Sequence, residues 1–154
     1  MKLHVLLGGK LRVNKGIFTP GRDEGKQIVV PVLCFLIRHS QGTVLFDTGC
    51  HPVVAADPAA RWGGLSRVFA PSFAPGEEII GELERMGFSP DDVDLVINSH
   101  LHMDHCGGNE FFKKATYVVH ARELETARDP AMEGKGYFRA DWDHARPFRE
   151  VEGE

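Results

Sequence analysis

Apolar residues along this chain gather into short runs broken by glycine, proline and charge, and the spacing inside each run separates strand from helix. Leu3 to Leu7 and the run IVVPVLCFLIR, Ile28 to Arg38, are β-branched and apolar enough for strands, with Pro31 demanding an edge position or a bulge. The second run is expected to be buried on both faces. Gln41-Gly42 marks a turn, after which TVLFD, Thr43 to Asp47, returns as the second strand of a hairpin. A Gly- and Pro-rich segment from Gly49 to Gly76 follows, carrying Trp62, Phe69 and Phe73. It reads as a long loop that either covers a substrate or lies on the surface held by its aromatic residues.

Further on, EEIIGELERMGF places Ile79, Ile80, Leu83 and Met86 on one helical face, with Glu77 and Glu78 in the first turn and Gly87 at the stop. SPDD then offers Ser89 as a cap and Pro90 at the first position of a short helical turn. DLVINS, Asp94 to Ser99, predicts a short buried strand, ATYVVH another, and ARELETAR the start of a helix. Strands alternating with helices predict a layered α/β sheet rather than an all-β barrel.

Composition narrows the picture. With 154 residues, 42% apolar, 26% charged and a net charge of −4, the chain reads as one globular domain, residues 1–154, with no basic stripe for nucleic acid. The N-terminal MKLHVLLGGKLRV is interrupted by His4, Gly8, Gly9 and Lys10 before it reaches signal or membrane length, so a cytoplasmic protein without a membrane partner is expected. Cys34, Cys50 and Cys106 are odd in number and lack a CxxC pair, which predicts free thiols.

NSHLHMDHCGG, Asn98 to Gly108, concentrates three histidines and an aspartate directly after a strand. Metal and ligand sites of open sheets sit in such loops. If the backbone stays extended through Leu101, His100 and His102 point to one side and can share a cation. A turn into a helix near Asp104 would then send Asp104 and His105 toward a second cation about 3.5–4 Å away. Imidazole and carboxylate suit zinc, with iron, manganese or cobalt as alternatives. Cys106 is read as a small packed apolar residue, and His51, His120 and His144 as having ordinary structural roles. In LFDTGCHP, Asp47 either accepts the spare N–H of a metal-bound histidine or merely caps the turn.

SHLHMDHCGG resembles the signature of the metallo-β-lactamase-fold hydrolases. Within them, LFDTGCHP, MGFSPDDVDLVINSHLHMDHCGGNEFF and YFRADWDHARPF are similar to the N-acyl homoserine lactonases, the quorum-quenching enzymes. The resemblance covers nearly the whole chain. It implies an αββα sandwich, an α/β layered fold counted as α+β in some schemes, of which this chain is the first half. It also implies a dinuclear zinc centre whose bridging hydroxide opens a lactone ring. Carried over by motif position, His100 and His102 bind the first metal, and Asp104 and His105 the second. Asp104 also acts in catalysis, passing a proton to the departing ring oxygen, while Asp47 supports the ligands from behind. Met103, Trp62, Phe69 and Phe73 line the pocket for an acyl chain.

The family supplies a further histidine, a bridging aspartate, a last histidine and a tyrosine from a second half, and no position here matches them. The chain stops at FREVEGE. It is therefore expected to be truncated at its C-terminus; were it complete, half a sandwich would expose an apolar sheet face that drives homodimer formation or aggregation, and its metals would be under-coordinated. The expected partner is a small-molecule lactone. Alternatives are a pyridoxine-derived lactone, a thioester cleaved in the manner of glyoxalase II, or a non-catalytic half-domain that works by association.

Overall fold

The computed structural model describes residues 1–144 and 146–153, so that within YFRADWDHARPF only Ala145 lies outside the described residues. Strand β1, Lys2–Asn14, pairs antiparallel with β2, Gln27–His39, and β2 with β3, Gly42–Phe46. The β1–β2 register runs from Lys2↔Arg38 to Leu7↔Leu33, slips, and resumes at Lys10↔Pro31. Pro31, which has no N–H to give, thus sits where the ladder is interrupted, as its ring requires. A two-residue strand β4, Ala70–Pro71, adds to the outer edge of β1. Beyond β3 the sheet turns parallel through β5, Leu95–Ile97, β6, Thr116–His120, and β7, Phe148–Val151, in the order β4-β1-β2-β3-β5-β6-β7.

The two expected helices form where their periodicity places them. Helix α2, Ile79–Arg85, is capped by buried Glu78, whose carboxylate accepts the Ile80 N–H, and Gly87 follows it at φ 75°. Helix α3, Ala121–Arg128, is capped by His120. Ser89 and Asp92 close a reciprocal capping box around the turn at Pro90–Asp92. The apolar face of α2 packs Ile79 and Leu83 onto Leu6, Cys34, Leu36, Leu45, Val96 and Tyr117, all buried, which covers one face of the sheet.

Two expectations are corrected. Strand β2 is buried on one face only: Cys34 and Leu36 are enclosed, whereas Leu33 is 43% exposed and Val29 50% exposed on the opposite side. Its unbroken apolar run concealed an alternation in burial. The segment after Gly49 is not a plain loop. It contains 3-10 turns at Pro52–Ala55 and Gly63–Arg67 and helix α1, Pro58–Trp62, started by Asp57 as cap and Pro58 at the first position. Among the described residues no helix is long and apolar enough to cross a membrane.

Candidate metal centre

Strands β3 and β5 lie side by side in parallel, Phe46 opposite Ile97, so the chain leaves both at the same end of the sheet. Asp47 leaves β3 with φ 60° and turns its carboxylate across to the β5 exit. One oxygen accepts the Ser99 N–H at 2.7 Å; the other accepts the Ser99 hydroxyl at 2.7 Å and the His105 Nδ1–H at 2.9 Å. Behind this pair, Asn98 and Asn109 exchange side-chain amide bonds at 2.9 and 3.2 Å, and the Thr48 hydroxyl donates to Asn109. The turn and the histidine loop are therefore one hydrogen-bonded unit, and the Asp47 carboxylate does more than cap its own turn.

The loop itself departs from expectation. Instead of entering a helix near Asp104, it makes a tight turn in which the His105 and Cys106 N–H groups both donate to the His102 carbonyl, at 2.9 and 3.0 Å. Gly107 lets this turn press against its neighbours, since a Cβ there would fall 2.5 Å from the His51 nitrogen and 2.6 Å from the Met103 oxygen. The compact turn brings three imidazoles together: His100 lies 3.9 Å from His105 and 4.7 Å from His102, between ring centroids. Asp104 is adjacent, one oxygen 3.6 Å from His105 Nε2.

Protonation follows from this crowding. Burial, then the neighbouring His105 and His102, pulls His100 below the usual imidazole value, and burial does the same to His102. Burial also opposes the charged form of His105, but the bond to Asp47 and the charge of Asp104 outweigh it and hold that ring above its ordinary value. The Ser99 hydroxyl has one proton, and the charged Asp47 oxygen at 2.7 Å is the better acceptor. His100 Nδ1, 3.0 Å from the same hydroxyl oxygen, is then the donor, which leaves its Nε2 with a free lone pair. His105 Nε2 is freed in the same way by the bond from Nδ1 to Asp47.

A strap over residues 133–137 closes one side. The Met103 N–H donates to the Gly136 carbonyl at 2.9 Å, and Tyr137 meets His102 edge-on, 4.5 Å between centroids. At Gly136, φ 102°, a Cβ would lie 3.0 Å from the His102 ring. Burial, and then Glu123, which also accepts the Leu101 N–H, pushes the Tyr137 phenol up to about 12. The rings open onto a cavity of about 270 Å³ lined by His100, His102, Asp104 and His105 together with Leu65, Phe69 and Met103, and by Lys135 and Gly136 of the strap.

Of the residues expected to form an acyl pocket, Met103 and Phe69 line this cavity. Trp62 and Phe73 do not: they are buried with Leu11, Val13, Val32, Cys50 and Val54, because a segment thrown across the sheet edge needs large side chains to anchor it. Leu65, Gly136, Tyr137 and Glu123 were not expected at the site; Gly134 and Gly136 on either side of Lys135 are the signal that could have found the strap. Cys106 is a buried apolar neighbour of Leu101 and Tyr137. His51 and His120 cap helical turns, and His144 bonds to the Asp141 carbonyl.

In donor type the cluster fits a divalent metal: three imidazoles beside a carboxylate, with His100 and His105 both engaged through Nδ1. The 3.6 Å between His105 Nε2 and Asp104 is a span that two ligands of one cation, each about 2.0–2.2 Å from it, can bridge. Among the described residues, no group of three or more His, Cys, Asp or Glu side chains encloses a single ion position.

Comparison with known proteins bears directly on this arrangement. The family model described as the metallo-beta-lactamase superfamily matches residues 28–153. The chain is 35% identical over 144 residues to the N-acyl homoserine lactonase AttM of Azorhizobium caulinodans, covering 93% of this chain and 55% of that protein. It is 37% identical over 157 residues to the N-acyl homoserine lactonase AiiB of Agrobacterium fabrum, covering 96% of this chain and 54% of that one. A solved N-acyl homoserine lactone hydrolase with the product N-hexanoyl-L-homoserine at its catalytic metal centre superposes with a TM-score of 0.85, at 27% identity over 99% of this chain and 60% of that one. The chain spans about half the length of the curated relatives it matches.

Proposed function

Because the chain belongs to the metallo-beta-lactamase superfamily, we propose that it takes part in the hydrolysis of N-acyl homoserine lactones, with His100, His102, Asp104 and His105 as ligands of two zinc ions. The observation that carries this reading is the mixed lining of the cavity, imidazoles and a carboxylate together with the apolar Leu65, Phe69 and Met103. An acylated lactone has the matching shape, a polar ester ring on a hydrocarbon tail. The relatives AttM and AiiB, both N-acyl homoserine lactonases, support the same substrate class.

Divalent metal, when bound, polarises an ester carbonyl and lowers the pKa of water toward neutrality. The chain's own groups do the rest. Asp47 fixes the His105 ring through Nδ1, and Ser99 fixes His100 through Nδ1, so that in both rings Nε2 is left to serve as the ligand atom. Leu65, Phe69 and Met103 hold the acyl tail and keep water off that side. Water adds to the lactone carbonyl carbon, the ring C–O bond breaks, and the departing ring oxygen takes a proton. Asp104, which lines the cavity, carries that proton in this reading. The buried free thiols Cys34, Cys50 and Cys106 support a reducing, cytoplasmic setting.

The test is a substrate panel with zinc-loaded protein. Opening of N-acyl homoserine lactones, its loss in His102→Ala, and near two zinc ions per chain by elemental analysis are expected. A protein that opens no such lactone but cleaves a glutathione thioester would overturn the assignment.

A further inference from the structure

A charged cluster that the chemistry above does not use joins the segment of Leu65 and Phe69 to the chain that follows the strap. Arg61, in the last turn of α1, has a side chain only 15% exposed. Its Nε donates to Asp141 Oδ1 at 2.6 Å and its Nη2 to the Ala140 carbonyl at 2.8 Å. Asp141 lies in helix α4, Arg139–Trp142, and is fully buried, its second oxygen without a partner. Glu110 stands 3.6 Å from Arg61 and bonds to His51, which follows the Asp47 turn.

These contacts tie together pieces of chain that are far apart in sequence. Arg61 belongs to the segment that four residues later supplies Leu65 and eight residues later Phe69, both in the cavity wall. Asp141 lies four residues after Tyr137, at the end of the strap packed on His102. A buried ion pair is a costly way to join two segments, because the desolvation of both charges is rarely returned in full. Apolar packing would hold them as firmly. What a two-pronged guanidinium bond adds is a fixed distance and direction.

We propose that the Arg61–Asp141 pair is a latch that positions the Leu65–Phe69 wall over the histidine cluster and thereby sets selectivity for a long apolar tail on the substrate. Arg61 and Asp141 are positioning residues in this account, since neither reaches the reacting atoms. The selectivity rests on the hydrolytic reading given above, whereas the placement of the wall does not.

The experiment compares the parent with Arg61→Met and Arg61→Lys. Calorimetry measures binding of N-decanoyl-homoserine and N-butanoyl-homoserine, the ring-opened ligands, so that no turnover is required. The parent prefers the decanoyl ligand; Arg61→Met lowers that preference about tenfold by weakening the long ligand alone, and Arg61→Lys, which keeps the charge without the fork, falls between. In kinetics with the lactones, Arg61→Met raises KM for the decanoyl substrate while kcat stays within about twofold. Acrylamide quenching of Trp62, 1% exposed and adjacent to Arg61, rises in Arg61→Met when read in a Trp142→Phe background. A preference that survives Arg61→Met, equal weakening of both ligands, or unchanged quenching overturns the latch. If Arg61→Met does not fold, the same comparison is made with Arg61→Lys. A parent that opens neither lactone removes the reaction assignment, and the binding and quenching results still decide the latch.

Discussion

Asp47 and Asp141 are both buried carboxylates, and they act in opposite directions. Asp47 spends its charge on three donors, and the most consequential is His105 Nδ1–H. Asp47→Asn tests this, because asparagine tolerates the left-handed backbone that Asp47 adopts at φ 60° while it removes the charge and turns one of the two accepting oxygens into a donor. The fold should persist by circular dichroism, while zinc affinity, measured by competition with a chromophoric chelator, should fall about 10–100-fold. Asp141 is the reverse case. Burial, only partly offset by Arg61, raises it from an ordinary 3.8 to about 6. A raised carboxylate means that the folded state favours the proton, so its stabilising contribution is full below pH 3.8 and is lost as pH rises through about 6. Glu110 and Glu133 push the same way. Asp141→Asn stays uncharged throughout and should gain on the parent in melting temperature as pH climbs from about 4 to about 7. A constant difference across that range would contradict the assignment. The latch thus fixes geometry at neutral pH at some expense of stability.

At the scale of elements, the site depends on a close crossing of backbones. The β1 slip at Gly8-Gly9 lets the turn after β3 come in, and the Cys50 N–H donates to the Gly8 carbonyl at 2.7 Å. A Cβ on Gly49, φ 69°, would lie 2.4 Å from the Gly8 Cα and from its oxygen. Gly49→Ala is strained in dihedral and in contact, and should destabilise by about 2–3 kcal/mol in denaturant melts, with zinc affinity falling alongside because Asp47 shares the turn. Elements with a clean period were legible in sequence: α2 from Ile79, Ile80, Leu83 and Met86, and β5 and β6 from short apolar runs. The capping signal of α1, Asp57 followed by Pro58, was hidden inside a Gly- and Pro-rich stretch, and the half-exposure of β2 inside an apolar one. The histidine cluster was legible because its donors are neighbours in sequence. Its surroundings were not, because Leu65, Gly136 and the Arg61–Asp141 bond are joined only by folding, the last across 80 residues.

For the whole molecule, the decisive feature is the sheet face that, among the described residues, no helix covers. Along β1 and β2 the residues turned away from α2 are apolar: Leu3 is 60% exposed, Val5 59% and Leu33 43%, and across the ladder Leu3 and Val5 stand opposite Ile37 and Phe35. Phe35 continues the face into β3 through an edge contact with Phe46, 6.4 Å between ring centroids. A row of this kind is contiguous apolar surface of the sort that drives association, and here it lies on the β1–β2 hairpin rather than at the histidine cavity. Self-association of the 17.1 kDa chain through this face is the expected behaviour, read as a concentration-dependent mass by light scattering. Hydrophobic burial would make it stronger in sulfate, whereas association through charge would weaken as salt rises. Val5→Lys with Leu33→Lys should return the chain to monomer with little loss of stability, since both side chains already meet solvent. Zinc binding should be unaffected, because the cluster lies at the β3–β5 exits. A parent that stays monomeric at every concentration and binds no apolar dye would show that the exposed face does not drive association.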